Sequence, residues 1–156
     1  MLGGGGQKAA AHIGIIEKLI SENVPIDMIS GTSAGAFIAA VYAMTRDIKI
    51  VEAISKQNSN KNLDFLFDLT LPVYSIFTGK ILNDSLTQMF GLNRNIEDLW
   101  IPFFCISTDI SVCKMRIHIT GSVLRYVRGS ISIAGVFSPI YDPVDGRWRI
   151  CEQRSS

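Results

Sequence analysis

One stretch limits the possible folds more than any other: Ile26-Asp27-Met28-Ile29-Ser30-Gly31-Thr32-Ser33-Ala34-Gly35, which runs without a break into the apolar residues 36–44. An extended apolar segment meets Gly-x-Ser-x-Gly and becomes a helix pattern at once, the layout of a strand-turn-helix nucleophile elbow. A serine on so sharp a turn has strained backbone angles, and the residues two before and two after it come close together. Gly31 and Gly35 remove the Cβ atoms that would collide there. Ser33 is therefore the candidate nucleophile, with Thr32 and Ala34 completing the elbow. At a helix N-terminus, unpaired N–H groups and the dipole favour negative charge, so the Ala34 amide is a candidate oxyanion donor. The competing structural reading is a simple turn and helix cap, for which small and hydroxyl residues are favoured. A strand before and an apolar helix after tip the reading toward a nucleophile.

A second glycine-rich turn opens the chain: Gly3-Gly4-Gly5-Gly6-Gln7-Lys8, followed by a helix pattern over residues 9–22 with His12, Ile13, Ile16, Leu19 and Ile20 on one face. A glycine loop that opens a helix is an anion cradle in general terms. A P-loop would need Gly-Lys-Ser/Thr, and the order Gly6-Gln7-Lys8-Ala9 lacks it. A dinucleotide loop would use Gly4 and Gly6, with Asp27 as the ribose acid, but Ala9 stands where its third glycine belongs. The third use is an oxyanion hole in which the amides of Gly4, Gly5 and Gly6 face an intermediate formed on Ser33. Only this use accounts for both glycine-rich turns. Just Met1 and Leu2 precede the loop, so a proper first strand is expected to be missing.

The chain of 156 residues has the size of one domain. An apolar share of 47% fills a core and excludes a disordered tail. A net charge of +1 with no basic run gives no footprint for nucleic acid, so partners should be neutral, zwitterionic or apolar. Cys105, Cys113 and Cys151 lack Cys-x-x-Cys spacing, which indicates neither a disulfide framework nor a zinc site and fits a reducing compartment. No metal or cofactor is expected. The N-terminus lacks the features of a signal peptide. No apolar run approaches the roughly 18 residues of a spanning helix, so contact with a membrane would come from its surface or through flanking segments.

Further elements follow in order. Residues 47–56 continue a helical pattern and 57–62 read as a polar loop. Residues 63–69 are rich in aromatics that could wall an acyl groove, although core packing is the commoner fate. A scaffold helix is expected over residues 80–90, closed by Gly91, and a buried strand over 102–108. Met115, Ile117 and Ile119 alternate with Lys114, Arg116, His118 and Thr120, a half-exposed strand with His118 on its polar, solvated face. His12 reads as a satisfied, partly buried histidine and His118 as a weak candidate for a triad base. Ser122 can cap a helix through 132, residues 135–143 are extended, and Asp145-Gly146 reads as a turn. Residues 147–156 are polar and aperiodic, an end not built to pack.

Three of these stretches together resemble the patatin-like phospholipases: the opening glycine loop, Gly31-Thr32-Ser33-Ala34-Gly35, and Arg128-Gly129-Ser130-Ile131-Ser132-Ile133-Ala134-Gly135-Val136-Phe137-Ser138-Pro139. Phe77-Thr78-Gly79, Ile96-Glu97-Asp98-Leu99-Trp100-Ile101-Pro102, Thr108-Asp109-Ile110 and Leu124-Arg125-Tyr126-Val127-Arg128 are similar to the catalytic domains of the neuropathy target esterase group of lysophospholipases. The resemblance implies a three-layer α/β sandwich with a mainly parallel sheet over residues 1–146, incomplete at both termini, and a divergent polar tail over 147–156. It also implies hydrolysis of phospholipid or lysophospholipid acyl esters at a membrane surface, on the cytoplasmic side of the endoplasmic reticulum.

The family scheme is a Ser-Asp dyad without histidine. Ser33 attacks, the glycine loop holds the oxyanion, and an aspartate in an Asp-Gly-Gly turn activates the serine. Two histidines in the whole chain suit that scheme better than a Ser-His-Asp triad. Ala9 replaces a glycine common in the family loop and Lys8 stands where arginine is commoner. The larger departure lies after Tyr141-Asp142-Pro143-Val144-Asp145-Gly146, where the chain reads Cys151-Glu152-Gln153 in place of Asp-Gly-Gly. The dyad aspartate is therefore expected to be absent, with Asp145 a less favoured base. A catalytically inactive product that binds lipid or a partner, and a dinucleotide-binding module, are the alternative readings.

Overall fold

The computed structural model describes residues 1–60, 79–133, 136–144 and 146–150. A 3-10 turn, Gly6–Ala10, leads directly into α1 (Ala11–Ser21). Ile13 and Ile16 of α1 are buried, as the periodicity requires, whereas Ile20 is exposed. Asn23 ends the helix in the left-handed region (φ 55°), a conformation asparagine tolerates better than most residues. The chain then enters β1 (Ile29–Thr32), turns at Ser33 and continues as α2 (Ala34–Thr45).

α2 is apolar nearly all round, and Gly35, Ala36, Ile38, Ala39, Ala40, Val41, Tyr42 and Ala43 are all buried. That composition makes it the central helix. Its alanines bring the helix axis close to β1, β2 and the neighbouring helices α1 and α3 (Ile48–Asn60). α3 runs four residues past the expected boundary at 56, into what the sequence reads as a polar loop. The aromatic-rich segment 63–69 lies outside the described residues. α4 (Lys80–Phe90) follows, with Leu86 and Phe90 buried, and stops at Gly91 (φ 73°) as the glycine predicts. The Phe90 ring and the Phe37 ring of α2 meet nearly at right angles, with centroids 6.2 Å apart.

β2 (Phe103–Asp109) is the middle of the sheet and alternates strictly, with Phe103, Cys105, Ser107 and Asp109 buried. β1 pairs with it in parallel, Ile29 opposite Phe103 through Thr32 opposite Ile106. β3 (Lys114–His118) returns antiparallel along the other edge, after a turn in which the Asp109 carboxylate accepts the Ser111 amide at 3.0 Å. Ser122 caps α5 (Val123–Ile131) by accepting the Arg125 amide at 3.3 Å, as its position predicts. β4 (Ile140–Asp142) and β5 (Arg147–Ile150) form an antiparallel hairpin, and β5 joins β2 at Thr108 and Asp109. A strand has two edges and β3 occupies one of them over Cys105–Asp109, so β1 and β5 share the other.

Two expectations change. The described sheet is mixed rather than mainly parallel, because two tight turns return β3 and β5 antiparallel to their neighbours while only β1 and a bridge at Leu2 run parallel. Residues 147–150, aperiodic as a sequence, pack as a strand.

A third change concerns His118. It is buried, while Met115, Ile117 and Ile119 of the alternate face are exposed. Lys114 and Arg116 on the face of His118 are exposed too, so only this end of the strand is covered. His118 lies opposite Cys105 on β2, on the side that α5 covers, so its ring stacks on Tyr126 of α5 with centroids 4.0 Å apart.

Candidate active site

Leu2 anchors the opening loop. Its amide donates to the Ser30 carbonyl at 2.7 Å and its carbonyl accepts from the Thr32 amide at 3.1 Å, a parallel bridge across Gly31. Gly3 to Gly6 therefore leave the sheet at the same end as the elbow. The 3-10 turn that follows packs against α2. Gly5 (φ 152°) and Gly6 (φ 56°) take backbone angles that side chains disfavour, which explains part of the glycine run. Nε2 of His12 hydrogen-bonds the Gly3 carbonyl at 3.0 Å, so this histidine pins the loop to α1.

The elbow is as tight as its sequence implies. A Cβ on Gly31 would stand 2.4 Å from the backbone carbonyl of Gly35, and one on Gly35 would stand 2.4 Å from the Leu2 carbonyl oxygen and 2.5 Å from that of Gly3. Elbow, glycine loop and first bridge thus meet with no room for a methyl group. Ser33 itself sits at φ 52°, ψ −130°, at the junction of β1 and α2. A non-glycine residue in such a region costs about 1–3 kcal/mol and persists only where its surroundings hold it. Its carbonyl accepts from the Ala36 and Phe37 amides at 2.9 and 3.2 Å, which starts the helix. The Ala34 amide is in the first turn, where no intrahelical acceptor exists.

A contact that no local pattern announces ties the elbow to α5. The Ser33 amide donates to Oγ of Ser130 at 2.8 Å, a buried bond spanning 97 residues of sequence. Ser130 lies one helical turn after Tyr126, and α5 packs against both α2 and β2. The α5 helix is fixed in turn by Arg128, a buried cation. Its Nε donates to the Asn83 amide oxygen of α4 at 2.7 Å, another of its nitrogens meets the Ser132 hydroxyl, and its guanidinium lies 5.3 Å from the centre of the Phe137 ring.

The remaining titratable candidates lie apart from the roles first considered. The His118 ring nitrogen Nε2 is 2.6 Å from the Ser107 hydroxyl, inside the α5–sheet interface. Cys105, level with Gly31 in the sheet, is buried, and burial pushes its thiol up to about 12, so it stays neutral. Asp27 precedes β1 and is exposed, whereas the glycine loop lies at the C-terminal end of that strand. The pair needed for a dinucleotide site is thus split between the two ends of β1. Asp142 is buried, and its carboxylate accepts the Val144 amide at 3.1 Å, which shapes the turn before β5. Asp145 and residues 151–153 lie outside the described residues.

Among the described residues, no helix is long and apolar enough to cross a membrane. The family profile for patatin-like phospholipase matches residues 1–148. The chain is 43% identical over 149 residues to neuropathy target esterase sws of Drosophila persimilis, an alignment that covers 94% of this chain and 10% of the relative. Against patatin-like phospholipase domain-containing proteins 6 and 7 of Mus musculus the identity is 41% and 42%, with 94% of this chain and 11% of each relative covered. It spans about a tenth of the length of these relatives. A profile match over nearly the whole chain, joined to a strained serine between two close-packed glycines beside a glycine loop, places this chain in the patatin-like phospholipase family.

Proposed function

We propose that the chain carries the nucleophile half of a serine acyl-ester hydrolase acting on lysophospholipids or phospholipids. The observation that carries the reading is Ser33, held at φ 52° where the glycine loop and the α2 N-terminus meet. In the proposed reaction, Oγ of Ser33 attacks the ester carbonyl carbon. The amides of Gly4, Gly5, Gly6 and Ala34 donate to the oxygen that becomes negative. The C–O bond to glycerol breaks, the proton lost by the Ser33 hydroxyl ends on the leaving glycerol oxygen, and water then hydrolyses the acyl-serine to the free fatty acid and the regenerated serine hydroxyl.

The three-layer patatin architecture and attachment to the surface of a membrane such as the endoplasmic reticulum belong to the same proposal, as what the family implies. So does the general base. Cys151-Glu152-Gln153 stands where the family resemblance puts Asp-Gly-Gly, so the 156-residue chain is proposed to lack the dyad aspartate and to turn over slowly by itself. The second reading, a catalytically silent member of the fold that still binds lipid, rests on this same departure. A fluorophosphonate probe tests the first reading. It should modify the wild-type chain, a non-hydrolysable lysophospholipid should slow the modification, and Ser33→Ala should abolish it. Lipid binding without any modification favours the second reading.

A further inference from the structure

Ser130 is completely buried, and its hydroxyl accepts the Ser33 N–H at 2.8 Å. Among the described residues no other hydrogen bond reaches that hydroxyl. The bond matters because of what it holds. Ser33 has positive φ, a conformation a serine leaves unless its neighbours prevent it. In β1 the chain is held through Thr32, and in α2 through the Ser33 carbonyl. The amide of Ser33 lies between these two networks and would be a buried, unmatched donor without Ser130.

From this geometry we infer that Ser130 is a positioning residue for the nucleophile. It fixes the peptide plane that carries Ser33 and so aims Oγ at the acyl carbonyl, acting through Ser33 rather than on substrate. The inference rests on the reading of Ser33 as the nucleophile. It also gives α5 a part in the site, because the helix that Arg128 anchors to α4 is the one that delivers the acceptor.

The experiment compares the full chain as wild type, Ser130→Ala and Ser130→Thr. Amide hydrogen exchange at Ser33 and the rate of fluorophosphonate modification are both followed, the latter as a function of probe concentration to separate probe affinity from the covalent step. Ser130→Ala is expected to speed exchange at Ser33 and slow the covalent step, each by about five- to tenfold, with probe affinity unchanged. Ser130→Thr, which keeps the hydroxyl, should restore both. Wild-type exchange and a wild-type covalent rate in Ser130→Ala would overturn the inference. So would faster exchange spread over the whole core, because that marks a general packing role. If the wild-type chain is not modified at all, the hydrolase reading fails by itself. Exchange at Ser33 then still decides whether Ser130 holds the elbow.

Discussion

Gly31 and Gly35 face each other across the elbow so closely that a Cβ on the first would lie 2.4 Å from the carbonyl carbon and oxygen of the second. The atoms in the way are backbone, which cannot swing aside as a flexible side chain could. Gly31→Ala and Gly35→Ala should each cost about 3 kcal/mol or more in urea unfolding, at the upper end of overpacking effects. Gly14 is the control. It lies in α1 with nothing near its missing Cβ, so Gly14→Ala should stabilise by up to about 1 kcal/mol.

Arg128 is the next test, because one buried guanidinium joins α4, α5 and the residue that ends α5. Arg128→Ala should destabilise by about 2–3 kcal/mol, because the Asn83 amide and the Ser132 hydroxyl lose their charged hydrogen-bond partner. Arg128→Lys keeps the charge but not the planar fork, and should recover only part of that loss. Thermal unfolding of the two variants beside wild type measures both.

The cysteines separate by burial. Cys105 and Cys113 are both free thiols, the first buried and the second exposed. Iodoacetamide at about pH 8 should modify Cys113 and spare Cys105 until the chain unfolds, read by mass mapping of the two peptides. The same shift sets a pH dependence. The folded state holds the Cys105 proton up to about 12 against an ordinary value of 9.0, so the unfolded chain loses it first. The contribution of this group to stability is complete below pH 9.0 and falls as pH rises toward about 12. Cys105→Ala should flatten that part of the curve.

Replacing Cys151-Glu152-Gln153 with Asp-Gly-Gly tests the proposed lack of a base. If an aspartate there can reach Ser33, fluorophosphonate modification should accelerate by on the order of 10²-fold, the usual contribution of a positioned base. An unchanged rate would show that a base needs more than this triplet.

The elbow was legible in the sequence because its constraint is local. Two glycines two residues either side of a serine state their own steric reason, and Gly91 and Ser122 likewise mark the helix ends they make. The nearness of the glycine loop to the elbow comes from the Leu2 bridge across Gly31, a contact between segments about 29 residues apart.

What escaped was decided across the chain. Nothing around Ser130 announces a bond to an amide 97 residues away. The alternation at 114–120 correctly implied a strand, but alternation cannot say that one end is covered, and His118 alone is buried there, against Tyr126 of α5. The strand at Arg147–Ile150 is equally non-local, since β2 and β4 supply its partners.

The most direct test of the account is the mass-spectrometric location of a fluorophosphonate adduct on the wild-type chain. The account predicts one adduct, on the hydroxyl of Ser33, absent from Ser33→Ala and slowed by lysophospholipid. An adduct on any other residue, or one that persists at the wild-type rate in Ser33→Ala, would contradict it.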